Sequence, residues 1–131
     1  MIVNGGFENQ ACQGSYCIWN QNNFQASFLP GWLPNTEIEV GGGTVYNSKL
    51  VNTKVIELDA NANTCIKQKL SLKAGTYNLN FDWAAREGAS LSSNGIQATI
   101  NGQAIKSVTA SDYNVHTESV QFTLNSDNAS A

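Results

Sequence analysis

Charge is scarce in this sequence: Asp, Glu, Lys and Arg make up 13 % of 131 residues, against about 25 % in an average soluble domain. The Lys and Arg residues number seven, form no run, and leave a net charge of −3. Nucleic-acid binding needs a clustered basic footprint, so that class is excluded, and the acidic balance argues against anionic membrane surfaces. No apolar stretch approaches the roughly 20 residues of a membrane span, so no membrane insertion is expected. One His and three scattered Cys make no zinc spacing. Helical periodicity is absent at any length. The opening Met1-Ile2-Val3-Asn4 has neither the basic nor the apolar region of a signal peptide. That leaves a processed mature chain, a domain of something larger, or a cytosolic protein.

What is present is period-two alternation broken by Gly, Asn, Ser and Asp. Thr36 to Val40 places Ile38 and Val40 on one face and Glu37 and Glu39 on the other. Lys54 to Asp59 turns Ile56 and Leu58 inward and leaves Val55, Glu57 and Asp59 opposite. A third segment covers Ile66 to Leu72, and Lys73-Ala74-Gly75-Thr76 then turns into the strongest strand, Tyr77 to Ala85. There Tyr77, Leu79, Phe81 and Trp83 share one face, and Asn78, Asn80 and Asp82 share the other. Ile96 to Ile100 and Ala104 to Val108 flank Asn101-Gly102, a type I′ hairpin signal. His116 to Leu124 closes the series, with Val120, Phe122 and Leu124 in phase. The first thirty residues read as irregular, residues 20–23 as a loop, and 88–94 as a Ser-rich loop. Strands at this spacing predict one all-β domain over residues 1–131, an antiparallel β-sandwich or jelly roll.

Several side chains are candidates for function. Cys12 and Cys17 lie five apart in a polar loop and can close a small disulfide, which would imply an oxidising compartment; two free thiols are the alternative. Cys65, inside an apparent strand, is expected to be a buried thiol. Trp19, Trp32, Tyr46 and Tyr113 fall in apparent loops or strand ends, where an exposed ring would stack on a sugar. Trp32 after Pro-Gly equally suits a packed core, as does Trp83 in phase with Leu79 and Phe81. Glu39, Glu57, Asp59, Asp82 and Arg86 would form a hydrogen-bonding surface if their strands are neighbours. Arg86 leads, since its planar fork pairs with carboxylates or vicinal hydroxyls; the alternative is a salt bridge to Glu39 or Glu57. Glu57 and Asp59 have the spacing of a glycosidase pair, but acids two apart on any exposed strand share it. His116 has no evident local partner and Ser119 no nucleophile elbow. No enzyme activity is expected and no catalytic residue is assigned. Asn128-Ala129-Ser130 is a glycosylation sequon, meaningful only for a protein secreted by a eukaryote.

The order of short motifs adds a resemblance. Asn4-Gly5-Gly6-Phe7-Glu8 opens the chain and Gly31-Trp32 follows. Then come Ile38-Glu39-Val40, Glu57-Leu58-Asp59, Gln68, Ala74-Gly75-Thr76-Tyr77 and Leu79-Asn80-Phe81-Asp82-Trp83-Ala84-Ala85-Arg86. Together, over residues 2–124, they resemble the galactose-binding-like jelly-roll modules of bacterial adhesins and the plant cell-wall family DUF642. The resemblance implies a non-catalytic carbohydrate-binding or adhesion module of a secreted or surface protein, with a glycan or polysaccharide as partner. The other reading is a structural protein–protein interaction domain in a larger assembly. The resemblance also implies a structural calcium ion near Glu8, with a salt bridge or turn cap as that residue's plainer role. The family pattern ends in a further strand beside the first, and here Leu124 is followed only by Asn125 to Ala131. A missing final strand is therefore expected, cut away or supplied by a protein partner at the sheet edge.

Overall fold

The computed structural model describes residues 1–20, 22–59 and 61–131. The expected loop over 20–23 includes Gln21, which lies outside the described residues. The chain is all-β and antiparallel, and it divides into two compact units, Met1–Gln68 and Lys69–Ala131.

In the first unit, β1 (Tyr16–Asn20), β3 (Glu37–Gly42) and β4 (Lys54–Glu57) form a sheet in the order β1-β3-β4. β2 (Leu33–Pro34) pairs with β5 (Ile66–Lys67). Alternation decides which side chains turn inward. Ile38 and Val40 from β3 and Trp19 from β1 meet Leu29 in the core, with Ile56, Leu58 and Ile66 packed against them. Burying each such aliphatic side chain stabilises by about 1.5–3 kcal/mol. Phe28 and Phe24 close on Trp19, at ring-centroid distances of 5.1 and 6.2 Å. β1 falls in the stretch that reads as irregular; it is held to β3 by a five-rung register from Tyr16↔Gly41 to Asn20↔Glu37. A disulfide joins Cys12 to Cys17 (Cα–Cα 5.6 Å) and ties the preceding loop to this strand.

The N-terminal segment is bound to the same unit by its own backbone. The Gln68 carboxamide accepts from the Val3 N–H at 2.7 Å and donates to the Val3 carbonyl at 2.9 Å, doing the work of a strand rung. The Asn4 side chain brackets Asn9, accepting from its N–H and donating to its carbonyl, and also donates to the Pro30 carbonyl. Trp32 Nε1 donates to the Asn4 carbonyl at 3.0 Å, and the Trp32 ring lies 5.6 Å from that of Phe7. Gly31 at φ +92° completes the clasp: a Cβ there would sit 2.9 Å from Gln68 Nε2 in a conformation that L side chains rarely adopt.

In the second unit, β6 (Gly75–Trp83) pairs with β9 (His116–Leu124) over nine rungs, and β7 (Gly95–Ile100) with β8 (Gln103–Thr109). Asn101 and Gly102 take φ 51° and 78°, the positive pair a type I′ hairpin requires. Trp83, Ala85 and Ala110 are buried, with Phe81, Leu91, Ile96, Val108 and Tyr113 against them. The expected strand over Ile66 to Leu72 is shorter than its pattern, ending at Lys67. Leu70 and Leu72 instead pair with the C-terminal segment: Leu72 exchanges two backbone hydrogen bonds with Asn128 at 2.7 Å, and Leu70 two with Ala131 at 2.8 Å. Asp127 fastens that segment by accepting from the Ala74 N–H at 2.8 Å and from Lys73 Nζ at 3.1 Å. The tail after Leu124, bare of strand pattern in the sequence, is thus laddered to this unit.

Candidate functional site

The five polar candidates fall in different units. Glu39, Glu57 and Asp59 belong to the first, Asp82 and Arg86 to the second. Glu39 and Glu57 are direct partners across the β3–β4 ladder, an arrangement of like charges that is unfavourable unless other groups compensate. Both interact elsewhere in the chain, as do Tyr46 and Arg86, so these are not idle ligand groups. Glu39 was expected on an outward face but is only 6 % exposed, while Asp59 is exposed. Asp82 is exposed and accepts from the Thr117 hydroxyl opposite it at 2.6 Å. Arg86 is half-buried, and its backbone N–H donates to Asn94 Oδ1.

The aromatic candidates pack inward. Trp19 and Tyr46, expected at exposed positions, are buried, because their neighbours in the fold cover them: Phe24 and Phe28 for Trp19, and the Gly41 backbone for Tyr46. Trp32 is half-buried within the N-terminal clasp, and Trp83 is a core residue. Cys65 is an exposed thiol and not a buried one, since Ile66 takes the inward place and Cys65 the outward one. His116 does have a partner. The turn before β9 brings Asp112 Oδ1 to 2.6 Å from His116 Nε2, and the imidazole stacks on Trp83 at 5.1 Å. The hydrogen bond from His116, helped by the Asn114 N–H, holds the Asp112 carboxyl below the usual carboxylate range. Glu118, without signal in the sequence, accepts from Trp83 Nε1 at 3.2 Å and pairs with Lys106 at 3.5 Å.

Among the described residues, at least two surfaces offer hydrogen-bonding groups outward. The first is the solvent face of β6 and β9. Thr76, Asn78, Asn80 and Asp82 alternate outward along β6, opposite Thr123, Gln121, Ser119 and Thr117 on β9. Outer rungs are closed within the chain: Thr76 and Thr123 hydroxyls lie 3.1 Å apart, and Thr117 donates to Asp82. The central side chains Asn78, Gln121, Asn80 and Ser119 make no side-chain hydrogen bond among the described residues. This face runs about 20 Å from Thr76 to Asp82 at 3.4 Å per residue, and its outward rows from Thr76 to Asp82 and from Thr117 to Thr123 hold no Lys or Arg.

The second is a hollow of about 390 Å³ in the first unit, whose lining includes Glu8, Gly42, Thr44, Asn52, Thr53 and Lys54. Glu8 Oε1 accepts from the Lys54 N–H at 3.4 Å there. A calcium ion takes six to eight oxygens, with carboxylates prominent among them. Glu8 is the one carboxylate of this lining, and among the described residues no group of three His, Cys, Asp or Glu is placed to hold a metal. Among the described residues, too, no helix is long and apolar enough to cross a membrane. Comparison of the chain with models of protein families, with curated proteins and with solved structures returns no match.

Proposed function

We propose that this chain is a non-catalytic binding module of an oxidising, extracellular or cell-surface setting, and that it recognises glycan through the polar face of β6 and β9. The observation that carries the reading is the set of exposed amides and hydroxyls on the central rungs, Asn78, Asn80, Ser119 and Gln121, whose side chains make no hydrogen bond among the described residues. Amides and hydroxyls each both donate and accept, as sugar hydroxyls do, and the rigid ladder fixes their spacing before any ligand arrives. The Cys12–Cys17 disulfide accords with an oxidising compartment.

The test is capture of the full chain on a panel of immobilised neutral polysaccharides, with the triple variant Asn78→Ala, Asn80→Ala, Gln121→Ala alongside. Each lost hydrogen bond is worth about 0.5–1.5 kcal/mol net, so three together should weaken binding by at least about tenfold. The side chains are solvent-exposed, and the fold should tolerate their loss. Binding unchanged by the variant, or absent across the panel, would overturn the reading.

A second reading, a structural interaction domain, is favoured by one feature. β1 lies at the end of its sheet, hydrogen-bonded to β3, and presents Tyr16 at 51 % and Ile18 at 40 % exposure. An edge of that kind accepts a strand from a partner. A stable complex whose contacts protect the β1 amides from hydrogen exchange would support it over the glycan reading.

A further inference from the structure

The inward row of β3 reads Ile38, Val40, Gly42. The first two fill the core of the first unit; the third carries no side chain, and the hollow beside Glu8 opens at that place. A glycine in a strand costs roughly 0.5–1 kcal/mol relative to alanine, so its presence calls for a reason. Conformation is not one: φ −69° and ψ 138° suit any residue. Crowding is not one either, since a Cβ on Gly42 would meet nothing within 4 Å. Both neighbours differ. A Cβ on Gly41 would lie 2.5 Å from the Ser15 carbonyl oxygen, and one on Gly43 would overlap the Leu50 carbonyl. Position 42 thus forgoes stability to keep space empty, and glycine of that kind marks close approach by a ligand or another backbone.

The lining defines what would fit. A lone cation would meet one carboxylate, Glu8, which already accepts from the Lys54 N–H, and an anion would meet Glu8 itself. Neither sign of charge is favoured. The Thr44 hydroxyl and the Asn52 amide can donate and accept alike, the Thr53 hydroxyl donates to the Lys54 carbonyl at 3.3 Å and can still accept, and Leu50 adds one apolar contact. The volume lies near the lower end of the about 300–1,000 Å³ range of small-molecule sites. We propose that this hollow binds a single neutral sugar unit, either free or at the end of a glycan. The ligand class rests on the glycan reading above; the site itself is distinct from the β6–β9 face.

The experiment is an amide-resolved NMR titration of the full chain with the methyl glycosides of glucose, galactose and mannose at millimolar concentrations. At least one sugar should produce saturable shifts at Gly42, Gly43, Thr44, Asn52 and Thr53. Gly42→Leu should weaken that binding by about tenfold or more, equivalent to about 1.4 kcal/mol, and Gly42→Ala by less, with amides elsewhere unmoved. The triple variant of the β6–β9 face should keep the shifts. No saturable shift with any sugar, shifts indifferent to both Gly42 variants, or the same amides responding to calcium chloride and not to sugar would each overturn the proposal. The two readings fail separately. Polysaccharide capture that survives in Gly42→Leu, with no monosaccharide response in the parent chain, would sink the hollow alone. Monosaccharide shifts without any polysaccharide capture would sink the β6–β9 reading alone.

Discussion

Three consecutive glycines should respond in three different ways to the same added methyl group. In Gly41→Ala the new Cβ would stand 2.5 Å from the Ser15 carbonyl oxygen, 2.9 Å from the Tyr46 hydroxyl and 3.0 Å from Tyr16 Cβ. Ser15 O also accepts from the Gly42 N–H at 3.2 Å, so relief means moving β1 away from β3. Overpacking of that kind costs about 1–3 kcal/mol. Gly43→Ala is harsher. Its Cβ would overlap the Leu50 carbonyl and lie 2.5 Å from Leu50 Cβ, both within the loop that Gly43 itself organises. The Gly43 N–H donates to Thr53 O at 2.9 Å, and its carbonyl accepts from Tyr46 and Asn47, each at 3.0 Å. No small shift clears the overlap without breaking one of these, so the loss should reach or exceed about 3 kcal/mol. Gly42→Ala meets open space at an ordinary backbone conformation. It should stabilise by about 0.4–1 kcal/mol, through the lower entropy of the unfolded chain. Urea unfolding followed by tryptophan fluorescence reads all three, as midpoint shifts at constant m-value. A Gly42→Ala protein destabilised by more than about 1 kcal/mol, or a neutral Gly43→Ala, would refute the steric argument and with it the case for the hollow.

Two more outcomes follow from covalent and ionic ties. Replacing Cys12 and Cys17 by Ser opens a loop of sequence separation 5, and the chain-entropy relation puts the loss near 2 kcal/mol; a thermal melt insensitive to both the variant and a reductant would show the bond to be without effect. Asp127 is held below the usual carboxylate range by the Ala74 N–H first and Lys73 second. Its folded pKa is therefore lower than its unfolded value of about 3.9, and its contribution is fully present above that value and fades as pH falls through the folded one. The protection of the Leu70 and Leu72 amides from hydrogen exchange should fall below about pH 4, and Asp127→Asn should abolish that acid step; an unchanged acid step in the variant would discount the anchoring of the tail by Asp127.

Much of the strand pattern was legible because it depends on local alternation. Tyr77 to Trp83 and Val120 to Leu124 follow period two without a break, and Asn101-Gly102 names its own turn. β1 was hidden because Tyr16-Cys17-Ile18-Trp19 is apolar on both faces, which gives alternation nothing to register. Glu39 shows a different limit. Period two assigns it a face correctly, opposite Ile38 and Val40, but whether that face sees water depends on what lies over it. Cys65 was misplaced by one step of the same period, with Ile66 inward in its stead. The Asp112–His116 contact and the anchoring of the tail by Asp127 arise in turns, where no periodicity speaks. Of the candidate surfaces, the β6–β9 face could be read from its Asn, Ser and Thr. The hollow could not: Gly41-Gly42-Gly43 looks like an ordinary turn until each position is given its neighbours.

The pairing of Leu70 with Ala131 has a consequence for how the molecule is made. A ribosome delivers residues in order, at about 5–20 per second, and the first unit has every rung it needs once Gln68 has emerged. The second does not. β6 is synthesised early, but its partner β9 ends at Leu124, and Leu70 and Leu72 before β6 wait on Ala131 and Asn128. During that interval β6 is a nine-residue strand with Tyr77, Leu79, Phe81 and Trp83 along one side and no mate. Long-range pairing of this kind is slow and leaves apolar edges open to the wrong partner. The second half of the chain is therefore where a nascent copy leaves apolar strand edges unpaired longest.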